Sequence, residues 1–100
     1  MLVYISGPMS GLSDLNKPAF DKAADLIKSW RHRYINPHDW SPERRQGESD
    51  KAYYNRCINI DLRLLALCDA IYQLPGWEGS NGATIEHTHS IALGIPVVTF

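Results

Sequence analysis

A short β-prone run, Leu2-Val3-Tyr4-Ile5-Ser6, starts at the second residue and is broken at once by Gly7-Pro8-Met9-Ser10-Gly11. A strand that is apolar on both faces needs cover on both sides, as the central strand of a parallel sheet has. The rest of the chain supplies that cover. Phe20, Ala23, Ala24, Ile27 and Trp30 recur at helical spacing, behind Asn16 as a cap and Pro18 in the first turn. Arg33-Tyr34-Ile35-Asn36 reads as a second strand, Asp69 to Leu74 as a third, and Ile95-Pro96-Val97-Val98-Thr99-Phe100 as a fourth, with helical patterns over 50–68 and 81–93 between them. Strands alternating with helices imply a three-layer α/β fold, a parallel sheet of about four strands with flanking helices. The loops after Ile5, Ile35 and Leu74 then share the carboxyl edge, where such sheets bind ligands.

One hundred residues, 44% of them hydrophobic, predict one domain over 1–100 with a single core. That is short for a self-sufficient enzyme, so a homo-oligomer is expected. The net charge of −1, with Arg31-His32-Arg33 and Arg44-Arg45 as the only basic concentrations, gives no footprint for a nucleic-acid polymer. Cys57 and Cys68 read as thiols of a reducing compartment, and no apolar run approaches a membrane span. With no leader pattern after Met1, a cytosolic protein is expected.

The glycine loop after the first strand lacks both the dinucleotide fingerprint and the Lys-Ser/Thr of a P-loop, so no cofactor is expected. His87 and His89 are two apart and point to different sides of a helix; Glu86 with His89 lacks further ligands, so no metal is expected either. Two carboxylates remain. On a wheel stepped at 100° per residue from Asp61, Tyr54, Cys57, Ile58, Leu64, Leu65 and Cys68 all fall within about 60° of it. Asp61 thus sits amid an apolar face, as a core carboxylate held by hydrogen bonds or as the wall of a pocket at the sheet edge. Ser80-Asn81-Gly82-Ala83-Thr84-Ile85-Glu86 leads from a turn into a helix and is read as putting Glu86 in its first turn, beside amides and small residues suited to a phosphorylated or sugar-bearing ligand. An ordinary cap and turn gives the same pattern. Trp77, in Pro75-Gly76-Trp77-Glu78-Gly79, covers apolar surface or stacks on a flat ligand. The polar stretch from Pro37 to Asp50 is long enough to expect a functional role.

Tyr4-Ile5-Ser6-Gly7-Pro8-Met9-Ser10-Gly11, Asp61 with Cys68-Asp69-Ala70-Ile71, Leu74-Pro75-Gly76-Trp77-Glu78, and Ser80-x-Gly82-Ala83-x-x-Glu86 with Ala92-Leu93-Gly94 together resemble the small phage- and bacteria-associated DUF4406 family. That family is similar to nucleoside 2-deoxyribosyltransferases and nucleoside 5'-monophosphate N-glycosidases. The resemblance implies a flavodoxin-like or Rossmann-like homodimer that cleaves the N-glycosidic bond of a deoxynucleoside or its monophosphate. It places Glu86 on the nucleophile, Asp61 on the assisting acid and Tyr4 on the tyrosine beside the sugar. It also implies phosphate or substrate binding by Ser80, Gly82 and the loop containing Gly7, Met9, Ser10 and Gly11, with His38 a looser match near the pocket. By residue type, Trp77 or Trp40 is expected to stack on the base. Two departures bear on the reaction. Pro8-Met9-Ser10 has no arginine of the kind some monophosphate hydrolases carry there, and no counterpart of the transferases' C-terminal segment follows the fourth strand, which favours hydrolysis over base exchange. A non-catalytic nucleotide-binding protein with the same pocket is the alternative.

Overall fold

The computed structural model describes residues 1–100. Strand β1 (Leu2–Ser6) lies at the centre of a three-stranded parallel sheet, between β2 (Arg33–Ile35) and β3 (Ala70–Gln73). Val3 stands opposite Tyr34 on one side and Ala70 on the other, and Ser6 opposite Gln73. Helix α1 (Lys17–Ser29) connects β1 to β2, α2 (Asp50–Ala66) connects β2 to β3, and α3 (Asn81–Ala92) follows β3. The path steps outward from β1 to β2 and returns across β1 to β3. Crossovers of one hand therefore put α1 and α2 on opposite faces.

Side-chain alternation along β1 divides the core accordingly. Val3 and Ile5 pack with Phe20, Ala23, Ala24 and Ile27 of α1, whereas Tyr4 packs with Leu65, Cys68 and Ile71. All of these are buried, each large apolar side chain contributing about 1.5–3 kcal/mol. The alternation also dictates that Ser6 shares the α2 and α3 face with Tyr4, though its side chain is polar and fully buried. A partner for it must come from that face.

Three local expectations are corrected. The fourth strand shrinks to a single bridge between Val97 and Ile71. The Ile95 amide closes the end of α3 on the Ser90 carbonyl at 2.9 Å and Pro96 has no N–H, so no ladder donor remains on that side of Val97. Asn16 does not cap α1; it adopts a left-handed φ of 61° and its Nδ2 donates to the Pro8 carbonyl at 3.0 Å, tying the loop after β1. Trp30 is 59% exposed at the end of α1, beside Phe100. Asp69, before β3, accepts the Leu2 amide at 2.8 Å. No helix is long and apolar enough to cross a membrane.

Candidate active site

Both α2 and α3 follow a strand of the parallel sheet and run back along it, with the first turn of α3 set against the second and third turns of α2 around Tyr54 and Ile58. Ser49 Oγ accepts the Ala52 amide and Ser80 Oγ the Ala83 amide, fixing the two starts. Between the helices and the loop after β1 lies a cavity of about 430 Å³. It opens where the strand order reverses around β1, the position at which open α/β sheets bind ligands. Gly82 lets the helices approach: a Cβ there would come to 3.3 Å from Ile58 Cδ1 and 3.5 Å from the Tyr54 hydroxyl.

The cavity floor is acidic. Glu86, 5% exposed, is held at both oxygens: the Tyr4 hydroxyl donates to Oε2 at 2.5 Å and Ser6 Oγ to Oε1 at 2.7 Å. Ser6 and Tyr4 meet the same carboxylate because residues two apart on a strand face the same way. Burial raises the Glu86 pKa, while the two hydroxyl donors pull it back. Asp61 joins Glu86 in the cavity wall. Its carboxyl is pushed up to about 8, first by burial and then by the charge of Glu86. Burial and the same two carboxylates hold the Tyr4 hydroxyl well above its ordinary pKa, so it remains a neutral donor.

Coupled carboxylates share protons as a pair. Here the environments differ: Glu86 accepts from two hydroxyls, an arrangement that favours its ionised form, and Asp61 has no such donors. At neutral pH the proton therefore resides mainly on Asp61. The site presents an oriented anion beside a carboxylic acid.

Of the residues singled out in the sequence, Gly7, Met9, Ser10, Ser80 and Gly82 line this cavity together with Asp61 and Glu86, and Tyr4 stands directly behind Glu86. Gly11, His38 and Trp77 do not line it. Gly11 turns outward at φ 79° with open space around it. His38 lies edge-on against Phe20, ring centroids 4.8 Å apart, with Nε2 buried and unpaired. Gly76, at φ 85°, starts a turn that lays the Trp77 indole over His87 at 4.4 Å, while Gln73 Nε2 donates to His87 Nδ1 at 2.8 Å. Trp40 is 54% exposed and also lies outside the cavity. Leu15 does reach it, in a run of left-handed residues, Asp14, Leu15 and Asn16. Tyr53 carries no sequence signal, Ser6 appears only inside the motif after Tyr4, and Arg44 only as half of the Arg44-Arg45 pair. Ser6 was recoverable from its parity with Tyr4, whereas no periodicity announces Arg44. No three His, Cys, Asp or Glu side chains are grouped to hold a metal ion.

Residues 1–99 match the family described as Domain of unknown function (DUF4406). No curated protein matches the sequence. Among solved structures, a 2-deoxyribosyltransferase of Bacillus psychrosaccharolyticus superposes with a TM-score of 0.74 at 18% identity, over 97% of this chain and 69% of that one. A 2-deoxyribosyltransferase of Leishmania mexicana gives 0.63 at 22% identity, over 99% of this chain and 63% of that one. The chain thus spans about two thirds of their length and shares their fold.

Proposed function

Because the chain belongs to the DUF4406 family, whose description assigns no reaction, we propose its function from the site: residues 1–100 form a nucleoside deoxyribosyltransferase-like domain that cleaves the N-glycosidic bond of a deoxynucleoside or its 5'-monophosphate. The observation that carries this reading is Glu86, buried and gripped at both oxygens by Tyr4 and Ser6, in the same cavity wall as Asp61, whose carboxyl burial pushes up to about 8. The shared fold with two 2-deoxyribosyltransferases supports the same class of bond.

In this scheme the Glu86 carboxylate attacks the anomeric carbon as the C–N bond breaks. The bonding pair leaves with the base, which takes the Asp61 proton. Carboxylates serve in this way when positive charge builds on a sugar carbon. Asp61, now ionised, next removes a proton from water, whose oxygen displaces Glu86 and frees the sugar. A second base in place of water completes a transfer instead. Tyr4 and Ser6 orient Glu86 and keep it ionised, and the Gly7 to Ser10 loop with Ser80 and Gly82 cradles the sugar and its 5' end.

The test is release of free base from a panel of deoxynucleosides and their 5'-monophosphates, followed by chromatography. Glu86→Gln, with the same shape but no charge, should abolish release while leaving the fold intact. Undiminished release by that variant would defeat the proposal, and tight binding of substrates that are never cleaved would point to a nucleotide-binding protein. We place the protein in the cytosol as a homodimer or larger assembly. Ile91 and Leu93, 65% and 47% exposed at the end of α3, motivate that assembly, and a monomer in sedimentation velocity at micromolar concentration would remove it.

A further inference from the structure

The cavity wall carries two carboxylates that have been assigned a task, Asp61 and Glu86, and farther from them an Arg44–Asp50 ion pair that has none. Asp61 and Glu86 lie at the floor. Ser80 stands six residues before Glu86, roughly 9 Å higher along α3, and Tyr54 seven residues before Asp61, roughly 10 Å higher along α2. At this rim lies Arg44, the only Lys, Arg or His side chain in the cavity walls.

Arg44 belongs to an irregular loop, yet its surroundings are fixed. On one side of it, the Tyr53 hydroxyl donates to the Pro42 carbonyl at 2.6 Å and Arg56 Nη2 to the Glu43 carbonyl at 2.7 Å. On the other, Arg56 grips Glu48 through Nε at 3.0 Å and Nη2 at 2.8 Å, holding the Glu48 carboxyl down at about 2. The Arg44 guanidinium lies over the Tyr53 ring, 4.7 Å from its centroid. Its one carboxylate partner, Asp50 at 2.5 Å, has a side chain 96% exposed. Pairs of that kind are weak and screened. Glu48 is neutralised by Arg56, so the loop holds Arg44 in the cavity wall as a cation that solvent can easily part from its partner.

From this we infer that Arg44 is the specificity residue of the cavity, the cation that receives a 5'-phosphate ester, so that the preferred ligand is a nucleoside 5'-monophosphate rather than the free nucleoside. The inference rests on the floor of the cavity receiving the anomeric carbon, as proposed above. A sugar seated on Glu86 directs its 5' substituent up the cavity to the level of Ser80. There the ester meets the Arg44 fork, the Ser10 hydroxyl and the amides that open α3, and it replaces the Asp50 carboxylate, which returns to water. A guanidinium recognises phosphate through paired donors, which a lysine cannot reproduce.

Calorimetry with full-length Glu86→Gln protein, titrated separately with deoxynucleoside 5'-monophosphates and the matching nucleosides, provides the test. Base release by the protein with Glu86 intact is followed in parallel. The monophosphate should bind about tenfold or more tightly than its nucleoside. Adding Arg44→Gln should bring that ratio close to one, and Arg44→Lys should recover part of it, with circular dichroism confirming the fold of each variant. If Glu86→Gln does not fold, the same titrations on the intact protein, limited to ligands it leaves uncleaved, replace it. A ratio near one before Arg44 is changed, a ratio that survives Arg44→Gln, or no binding of any monophosphate overturns the inference. Arg44-dependent binding without base release would leave it standing while the glycosidase proposal fell, and release from nucleosides and monophosphates alike would do the reverse.

Discussion

Asp61→Asn should make the protein more stable while disabling it. The carboxyl moves from an ordinary 3.8 to about 8 on folding, through burial and the charge of Glu86. The folded state therefore holds a proton that the unfolded chain gives up, and stability falls as pH rises between those two values, at up to about 1.4 kcal/mol per unit. Below about 4 both states are protonated, and above about 8 both are ionised and the loss is complete. Four units correspond to an upper bound of about 5–6 kcal/mol. Part of the carboxyl still meets solvent in the cavity, so roughly half of that, about 2–3 kcal/mol, is the working figure. Asparagine is close in shape to the protonated acid and has no charge to bury, so it escapes this loss. Urea denaturation at pH 5 and pH 8.5 reads the effect directly. The native protein should lose stability between the two, and Asp61→Asn should lose much less and exceed it at pH 8.5. Superimposed curves at pH 8.5 would refute a protonated Asp61 and with it the supply of a proton to the departing base.

Tyr4→Phe removes the donor to Glu86 Oε2 with little change of shape. A hydrogen bond to a charged group contributes about 1.5–3 kcal/mol, so kcat/KM should fall by about tenfold or more, and its acid limb should move to higher pH because the Glu86 anion has lost support. A rate and pH profile matching those of the native protein would show that Tyr4 is only a core residue. Gly7→Ala tests the close approach between the end of β1 and Leu74. A Cβ at this position would lie 2.7 Å from Leu74 Cβ and 2.8 Å from its Cδ1. Because Leu74 is buried in the α1-side core and has little room to yield, a loss of about 1–3 kcal/mol is expected in the urea midpoint.

The parts of this molecule that were legible in the sequence are those governed by a period. The run Leu2 to Ser6, apolar on both faces, the helical spacing behind Phe20 and Ile27, and the wheel around Asp61 determine which faces of each element are covered. That suffices for the parallel sheet and for Asp61 on a covered face, whereas Glu86 was marked by the turn that opens its helix and Tyr4 only by the family resemblance. What failed has no period. Trp77 turns on the sign of one dihedral at Gly76, which swings the indole to His87 rather than to the cavity. Arg56, on a wheel position that reads as solvated, instead clamps Glu48 and the Glu43 carbonyl, because a loop that wheel arithmetic cannot see folds back over α2.

Arg44 depends on that same clamp, since its place at the cavity rim is set by hydrogen bonds to its neighbours in the chain and not by burial of its own side chain. The two ends of the site are thus specified by different physics. The acidic floor is built on strand and helix positions packed into the core, so its geometry is set by the fold, and exchanges of similar shape such as Asp61→Asn change its chemistry while a change of size there disrupts the core. The rim hangs on a few exposed polar bonds, and exchanging Arg44 leaves the sheet and its core untouched. A fold arranged this way can keep one acidic floor and change what it accepts at the rim through single loop substitutions.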